Sequence, residues 1–234
     1  MSKISPQTAT RRIESFSKRF GKGHLYLAYH AAFPLALTPN LLYRLWANFQ
    51  RDIHTQVLDI PWIAVADVLL SNLCDEVGHE LYEMDLSIRN VLLKQLQEDE
   101  KFGQQRINEL SIFLLDYVQQ QLQSDDPDLR DFAQAQYWTA LAYSKPSQAA
   151  RELTATLKKA YQTDRADLIR LASLIETLAK PLTEFEPLLI DARKMRSFAS
   201  GNQEAVEPPL AIEEDLRHLR EKGWRLAMIV VSDT

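Results

Sequence analysis

The fold of this chain is decided by residues 61–96, which read PWIAVADVLLSNLCDEVGHELYEMDLSIRNVLLKQL. In the first part of this stretch, apolar residues recur at steps of three and four, which places them on one face of a helix. These residues are Ile63, Ala66, Leu70, Leu73 and Val77. A short extended piece and a second helix are predicted to follow. This order is the outline of a degenerate winged helix.

Three residues in this stretch indicate where its elements begin and end. Pro61 suits a first helical turn, where its missing N–H breaks no hydrogen bond. Gly78 suits the left-handed residue that closes a helix. Residues 79–84 alternate in polarity as a strand does, and Asp85 is a good N-cap for the second helix. The alternative is one long helix broken at Gly78.

The composition is that of an ordinary globular protein, with 46% hydrophobic and 25% charged residues among 234. The formal net charge of -5 does not favour general binding to nucleic acid. The single cysteine, Cys74, fits a reducing compartment and is expected to be a small core side chain on the first helix. No run approaches the roughly 20 apolar residues of a membrane span, and no secretory signal is visible. We therefore expect a cytoplasmic protein that does not enter the membrane.

The first predicted helix has an apolar face, with Ile13, Phe16 and Phe20 at helical spacing. Five basic residues lie on its other face or just after it: Arg11, Arg12, Lys18, Arg19 and Lys22. They are candidate contacts for a nucleic-acid backbone or an acidic partner. A solvated helix face is the favoured explanation, because no aromatic or polar side chains interleave with the charges.

Further helices are predicted up to about His30, from Thr38 as cap with Pro39 at the first position, and over residues 104–123. The sequence SDDPD at residues 124–128 is a strong stop-and-start signal, since an aspartate can cap the helix that the proline opens. It is the predicted boundary between a winged-helix-like subdomain, 11–125, and a helical-hairpin subdomain, 126–205.

The second subdomain is predicted to contain two pairs of antiparallel helices. The residues predicted to face inward are Phe132, Ala133, Ala140 and Leu141; Ala149, Leu153, Leu157 and Ala160; Leu168, Leu171, Ile175 and Leu178; and Leu188, Ala192, Met195 and Ala199. The first pair has about the length of a tetratricopeptide repeat, roughly 34 residues. Two pairs are fewer than an independent solenoid needs, so they are expected to dock on the N-terminal half. The predicted class is all-α with minor β.

Residues 206–234 are predicted to form a linker and a C-terminal tail. Pro208 and Pro209 stand among acidic residues, which indicates an exposed linker. A helix, a break at Gly223 and a strand over 224–231 follow. That strand either pairs with the extended segment near Leu81 or belongs to a domain outside this sequence.

The chemistry-bearing residues do not form a recognisable catalytic or metal site. Glu76 and His79 have the spacing of half a di-iron site, but the nearest second half, Asp215 with His218, lies in the tail. Gly78 would also interrupt the helix that aligns such ligands. No phosphate loop or nucleophile elbow occurs.

The two histidines His24 and His30 lie six residues apart, which is a poor spacing for one helical face. Half-buried structural histidines are the expected outcome. We therefore expect no cofactor, no metal and no enzymatic activity.

Three stretches together resemble a helical region of cyanobacterial multidomain proteins: KRFGKGHLYLAYHAAFPLALTPNLLYRLWANFQ (18–50), IPWIAVADVLLSNLCDEVGHELYEMD (60–85) and FAQAQYWTALAYSKPSQAARELT (132–154). Those proteins combine the region with formylglycine-generating-enzyme-like, caspase-like or NTPase modules. The similarity extends over about residues 11–205 and includes no catalytic motif. It implies an effector-associated domain that recruits or couples an effector.

The leading hypothesis is therefore a non-catalytic adaptor or regulatory module that binds an effector or signalling protein, with self-association as a further possibility. Tyr137 and Trp138 are the candidate protein contacts, because these residue types dominate interface hot spots; core packing is the alternative for both. The second hypothesis is nucleic-acid binding through the winged-helix-like half and the basic helix. An enzyme of unrecognised type would need a deep polar pocket with perturbed titratable groups.

Overall fold

The computed structural model describes residues 4–199, and this part of the chain is mostly helical with one small antiparallel sheet. The elements of its first half are α1 (Pro6–Phe20), α2 (Lys22–Ala31), α3 (Pro39–Asn48), α4 (Ala64–Leu69), β1 (Cys74–Gly78), β2 (Leu81–Met84) and α5 (Leu86–Glu98). They are followed by α6 (Gly103–Val118), a 3-10 helix (Gln121–Gln123), α7 (Pro127–Ser144), α8 (Pro146–Thr163), α9 (Arg165–Thr177) and α10 (Glu186–Ala199). The predicted, mainly helical class is confirmed.

The chain divides into two compact units, the first ending at Ala149 and the second beginning at Ala150. The predicted boundary at 125/126 instead falls at the start of α7, inside the first unit. This difference has a physical reason, because α7 packs against α6 and its Ala133 and Ala140 belong to the buried core of the first unit. The predicted linker and tail, 206–234, lie outside the described residues.

The helix starts predicted from capping residues are confirmed at three places. Thr38, Asp85 and Asp126 each accept a backbone N–H of the following turn through a side-chain oxygen, at 2.8–3.1 Å. Pro39 and Pro127 occupy the first turns of α3 and α7. These side chains satisfy N–H groups that a helix leaves without partners, so local sequence was sufficient to locate the starts.

The first helix of the 61–96 stretch is shorter than predicted. It ends at Leu69, and residues 74–78 form β1 instead of a last helical turn, so Cys74 lies on a strand, paired with Met84. The prediction of a helix up to Gly78 is wrong because strand pairing satisfies this backbone instead. Leu37, in the loop after α2, also exchanges two backbone hydrogen bonds with Tyr82 of β2, at 2.8 and 2.9 Å. The predicted extended segment before Asp85 is confirmed as β2.

The buried side of α4 also differs from the predicted one. The residues buried on α4 are Ala64, Val65, Val68 and Leu69. Ile63 and Leu70, predicted to face inward, are 42% and 77% exposed, and Val77 on β1 is 46% exposed. Because every residue of this short helix except Asp67 is apolar, a period of 3.6 gives little contrast from which to choose the buried face.

The loop between α2 and α3 is held by two polar side chains of the core. Arg89 of α5 donates from Nη2 to the carbonyl of Phe33 at 2.8 Å. Gln136 of α7 accepts the N–H of Leu35 at 2.9 Å and donates to the carbonyl of Ala36 at 2.6 Å. Buried backbone groups need such partners, so both side chains have a structural role.

In the second unit, α9 packs against α10. Every residue predicted to face inward on α8, α9 and α10 is buried, which confirms the periodicity there, as it does for Leu178 just after α9. No helix within residues 4–199 has both the length and the apolar composition needed to cross a bilayer.

Gly23 provides a stability test of the packing between α2 and the segment before α4. A Cβ at Gly23 would lie 2.7 Å from the backbone oxygen of Asp59, so Gly23→Ala is expected to lower the free energy of unfolding by about 1–3 kcal/mol. At Gly78 the nearest atom to an added Cβ is 3.6 Å away, so Gly78→Ala is the control, with a change within about 1 kcal/mol. Urea unfolding followed by circular dichroism measures both, and equal losses would contradict the close contact.

Candidate interaction surface

A cleft with a volume of about 390 Å³ opens between the second half of α1 and the end of α4. We call it the α1–α4 cleft. Phe16, Phe20 and Leu70 provide its apolar lining, while Arg19 and Asp67 are its charged residues. Ser15, Ser71 and Asn72 complete the lining, so polar and apolar side chains share this concave surface.

Aromatic stacking and two polar contacts hold the walls of the α1–α4 cleft in place. The ring of Phe20 lies 4.9 Å from that of Phe16 and stacks on the imidazole of His24 at 5.3 Å. His24 Nε2 is 3.0 Å from the Asp67 carboxylate, which links α2 to α4. This histidine is buried and partnered, as expected from the sequence. Arg12 donates to the carbonyl of Asn72 at 3.0 Å and thereby links α1 to the turn after α4.

An exposed apolar strip continues from the cleft along α4. It consists of Trp62, Ile63 and Leu70, which are 65%, 42% and 77% exposed, and we call it the α4 strip. Ile63 and Leu70 are seven residues apart and therefore lie on the same side of the helix, about 10 Å from each other. The opposite side of α4 is buried in the core. Three large apolar side chains exposed at the two ends of one short helix indicate a contact surface, and Asp67 is the one charged residue of that helix.

The five predicted basic residues are divided between two sides of α1 and the start of α2. Arg12 and Arg19 are seven residues apart and share the side that faces the cleft, with Arg12 half-buried and Arg19 exposed. Arg11 and Lys18 share a different side, and Lys22 begins α2; all three are exposed. The Arg19 guanidinium lies 4.9 Å above the ring of Phe20, which fixes it at the cleft wall.

The neighbouring surface has the opposite charge. From residue 52 to residue 88 the sequence contains no lysine or arginine. The carboxylates in this range are Asp52, Asp59, Asp67, Asp75, Glu76, Glu80, Glu83 and Asp85. Both α4 and the β1–β2 hairpin lie in this range, so they present no cation to a phosphate backbone.

Tyr137 and Trp138, the protein contacts predicted from sequence, are both half-buried on α7. Tyr137 packs against the core of the first unit, and the Trp138 Nε1–H is buried without a hydrogen-bond partner among the described residues. Their role as contacts stays a prediction. The more exposed α4 strip was missed because periodicity placed Ile63 and Leu70 on the buried side of the helix.

A separate polar cluster lies inside the first unit around His30 and Arg106, which are 0% and 2% exposed. Arg106 donates from Nη1 to His30 Nε2 at 3.1 Å and from Nη2 to the carbonyl of Arg51 at 2.6 Å. The second imidazole nitrogen, Nδ1, is 2.5 Å from the carbonyl of Tyr26 and must donate to it. This pairing assigns the imidazole proton to Nδ1 and leaves Nε2 as an acceptor.

Burial lowers the pKa of His30 to about 3, and the charge of Arg106 lowers this pKa as well. Only the hydrogen bond to Tyr26 opposes these effects.

The Arg106 guanidinium lies 4.9 Å from the ring of Phe49 and 5.5 Å from that of Phe102. Burial also lowers the pKa of Arg106, although Glu109, 3.0 Å from its Nε, favours the charged form. The Nε contact is an ion pair without the angle of a hydrogen bond. The cluster is closed to solvent and acts in packing.

The other groups with large pKa shifts are also buried. Burial raises the pKa of Tyr29 and of the Cys74 thiol to about 12, with smaller contributions from nearby acidic groups. Neither residue lines the α1–α4 cleft. Within residues 4–199, no three histidine, cysteine or carboxylate side chains are placed to hold a metal ion together.

Comparisons with protein-family models, with curated proteins and with solved structures found no match to this chain.

Proposed function

We propose that this protein is a non-catalytic intracellular adaptor or regulatory module that binds a partner protein and couples it to an effector. The observation that supports this function is the α4 strip, three exposed large apolar side chains at the two ends of α4, of which Leu70 also lines the α1–α4 cleft. The resemblance to effector-associated helical regions, with a winged-helix-like half and helical hairpins, points to the same class of protein.

The energetics of the α4 strip suit a protein interface. Full burial of a large apolar side chain contributes about 1.5–3 kcal/mol, and tryptophan is the residue type most enriched among interface hot spots. Trp62 and Leu70 are each exposed by more than half. Covering these two side chains would supply the apolar centre that such interfaces have.

Charge distribution favours a protein over the alternative, nucleic acid. In a winged-helix-like arrangement, α4 and the β1–β2 hairpin would lie against the nucleic acid. These elements belong to the range 52–88, which has eight carboxylates and no lysine or arginine. Phosphate contacts need cations. In the nucleic-acid alternative, these contacts would therefore come from the basic residues of α1 and from Lys22. It predicts binding of duplex DNA that weakens steeply with salt.

Replacing Trp62 with serine is expected to reduce partner capture at least tenfold, because it removes the largest exposed side chain of the strip. The measurement is affinity capture from native lysate with the full chain as bait, quantified by mass spectrometry, together with light scattering to detect self-association. Ile112→Ser is the control, since Ile112 is 69% exposed on α6, away from the strip. Circular dichroism checks that both variants are folded.

The proposed function fails if the wild-type chain neither captures a protein nor self-associates. It also fails if the Trp62→Ser and Ile112→Ser variants lose the same partner to the same extent.

A further inference from the structure

We infer that the α1–α4 cleft and the α4 strip together bind one acidic, amphipathic helix of a partner protein. This inference rests on the proposed function and specifies the chemistry of the partner. Three features of the first unit carry it: the shape of the apolar surface, the local charge of α1, and the position of Arg19 between the two.

The exposed apolar residues beside the cleft are spaced so that one helix could contact them together. The cleft lies at one end, where Leu70 meets Phe16 and Phe20, and Ile63 lies about 10 Å farther along the same side of α4. A helix that docks in a groove places apolar side chains at steps of three, four and seven residues. One side chain would enter the cleft, and another, one or two turns away, would cover Ile63 and Trp62.

The charge of the α1 region favours an acidic partner, and two of its cations, Arg12 and Arg19, share the side of α1 that faces the cleft. Residues 6–22 contain five cations and one carboxylate, Glu14, which gives a formal charge of +4. Since the whole chain carries -5, the remaining residues carry -9. A cationic helix in an otherwise acidic protein attracts and orients acidic segments through electrostatic complementarity.

Arg19 connects the charged and apolar parts of the surface. It is exposed, it lines the cleft, and its guanidinium rests on the ring of Phe20. No carboxylate within residues 4–199 forms an ion pair with it, whereas Asp67 on the opposite wall is hydrogen-bonded to His24. A partner carboxylate is therefore expected at the α1 wall of the cleft, and apolar side chains against Leu70.

A nucleic-acid occupant is disfavoured by the same charges. A duplex has phosphates on every side, so those not facing α1 would lie against the carboxylates of range 52–88. An amphipathic helix carries its acidic residues on one side and its apolar residues on another. It can therefore satisfy α1 and the α4 strip at the same time.

The test is a selection from a displayed library of random peptides about four helical turns long, with the full chain as bait. We expect enriched peptides with acidic residues beside apolar residues spaced three, four and seven apart. Binding of a selected peptide, measured by fluorescence anisotropy, should weaken at least tenfold in Leu70→Glu and in Arg19→Glu. Ile112→Glu and Lys94→Glu are the matched controls for an exposed apolar and an exposed basic position, and should change binding less than twofold.

Charge reversal provides a second measurement that a misfolded variant could not imitate. A peptide in which the acidic residue that pairs with Arg19 is changed to lysine should bind the Arg19→Glu variant more tightly than it binds the wild-type chain. The inference is overturned if no peptide is enriched, if the enriched peptides lack acidic residues, or if Leu70→Glu selects the same peptides. Duplex DNA that displaces the peptide and depends on Arg19 would overturn it in favour of nucleic acid.

The two proposals fail in distinguishable ways. If Trp62-dependent capture of a protein is observed but the enriched peptides are basic or purely apolar, the proposed function stands and the acidic partner is wrong. If the wild-type chain captures nothing and does not self-associate, the proposed function fails before the chemistry of the partner is at issue.

Discussion

Replacing Arg106 with alanine is expected to lower the free energy of unfolding by about 3–5 kcal/mol. The guanidinium donates to His30 Nε2 and to the carbonyl of Arg51, and it lies between the rings of Phe49 and Phe102. Its removal leaves the buried His30 Nε2 and the partly buried carbonyl of Arg51 without this donor, and a fully buried acceptor left unpaired costs about 1–3 kcal/mol. It also leaves a cavity between the rings.

Two further variants separate the geometry of Arg106 from its charge. Arg106→Lys keeps the positive charge but is expected to lose most of the stabilisation. The lysine ammonium lacks the planar, branched geometry by which the guanidinium donates to two acceptors and stacks on aromatic rings. Arg11→Ala removes an exposed arginine and is expected to change stability by less than about 0.5 kcal/mol. Urea unfolding followed by circular dichroism measures all three. Equal midpoints for the Arg106→Ala and Arg11→Ala variants would show that the buried cluster does not stabilise the fold.

Acidification below pH 6.5 is expected to destabilise the protein through the buried imidazole of His30. His30 has a pKa of about 3 in the folded state, against 6.5 for an unperturbed histidine. Below pH 6.5 the unfolded state therefore binds a proton that the folded state does not bind, and stability falls. The loss is about 1.4 kcal/mol per pH unit between 6.5 and 3. Above pH 6.5 both states hold a neutral imidazole, and His30 contributes no pH dependence.

In the window between pH 6.5 and about 4.5, the pH dependence of the free energy of unfolding reports on His30 and not on the buried carboxylate Asp52. Burial raises the pKa of Asp52, but hydrogen bonds from the backbone of Gln56 and His54 and the charge of Lys101 lower it, so that it lies below the usual 3.8. The stabilisation by Asp52 is thus present above pH 3.8 and is lost only at lower pH.

Substituting the histidine tests this assignment directly. His30→Gln keeps a donor and an acceptor but has no titratable group, so its stability should be nearly constant through the window. His79→Gln, at an exposed position of the hairpin turn, should keep the slope of the wild type. The measurement is urea unfolding at a series of pH values. A wild-type slope near zero in this window would contradict the buried neutral imidazole.

Local chemistry explains which predictions from sequence were confirmed. Thr38, Asp85 and Asp126 start helices because each cap depends only on the next three residues. The inward residues of α8, α9 and α10 were correct because these helices have contrasting polar and apolar sides.

The errors occur where that contrast is absent. Around α4 nearly every residue is apolar, so neither the end of the helix at Leu69 nor its buried side follows from periodicity. The strand that begins at Cys74 depends on pairing with β2, which in turn pairs with Leu37. β2 follows β1 through a short turn, but Leu37 is distant from β2 along the chain, and such a partner is not visible in a local pattern.

The candidate interaction surface, too, was predicted only in part from the sequence. The basic residues of α1 were identified from sequence because charge is a property of composition. That Arg19 stands in a cleft with Leu70 was not predicted, since the two residues belong to helices that are brought together only by folding.

The sequence by itself determined most of the helices, the starts of three of them and the buried sides of the amphipathic ones, because each of these depends on neighbours within one or two turns. Only the tertiary structure decided which side of α4 meets solvent, and it alone brought Arg106 to His30 across 76 residues of chain. Burial beside that cation is what keeps the imidazole neutral. Both outcomes depend on contacts between distant segments, which no local period encodes.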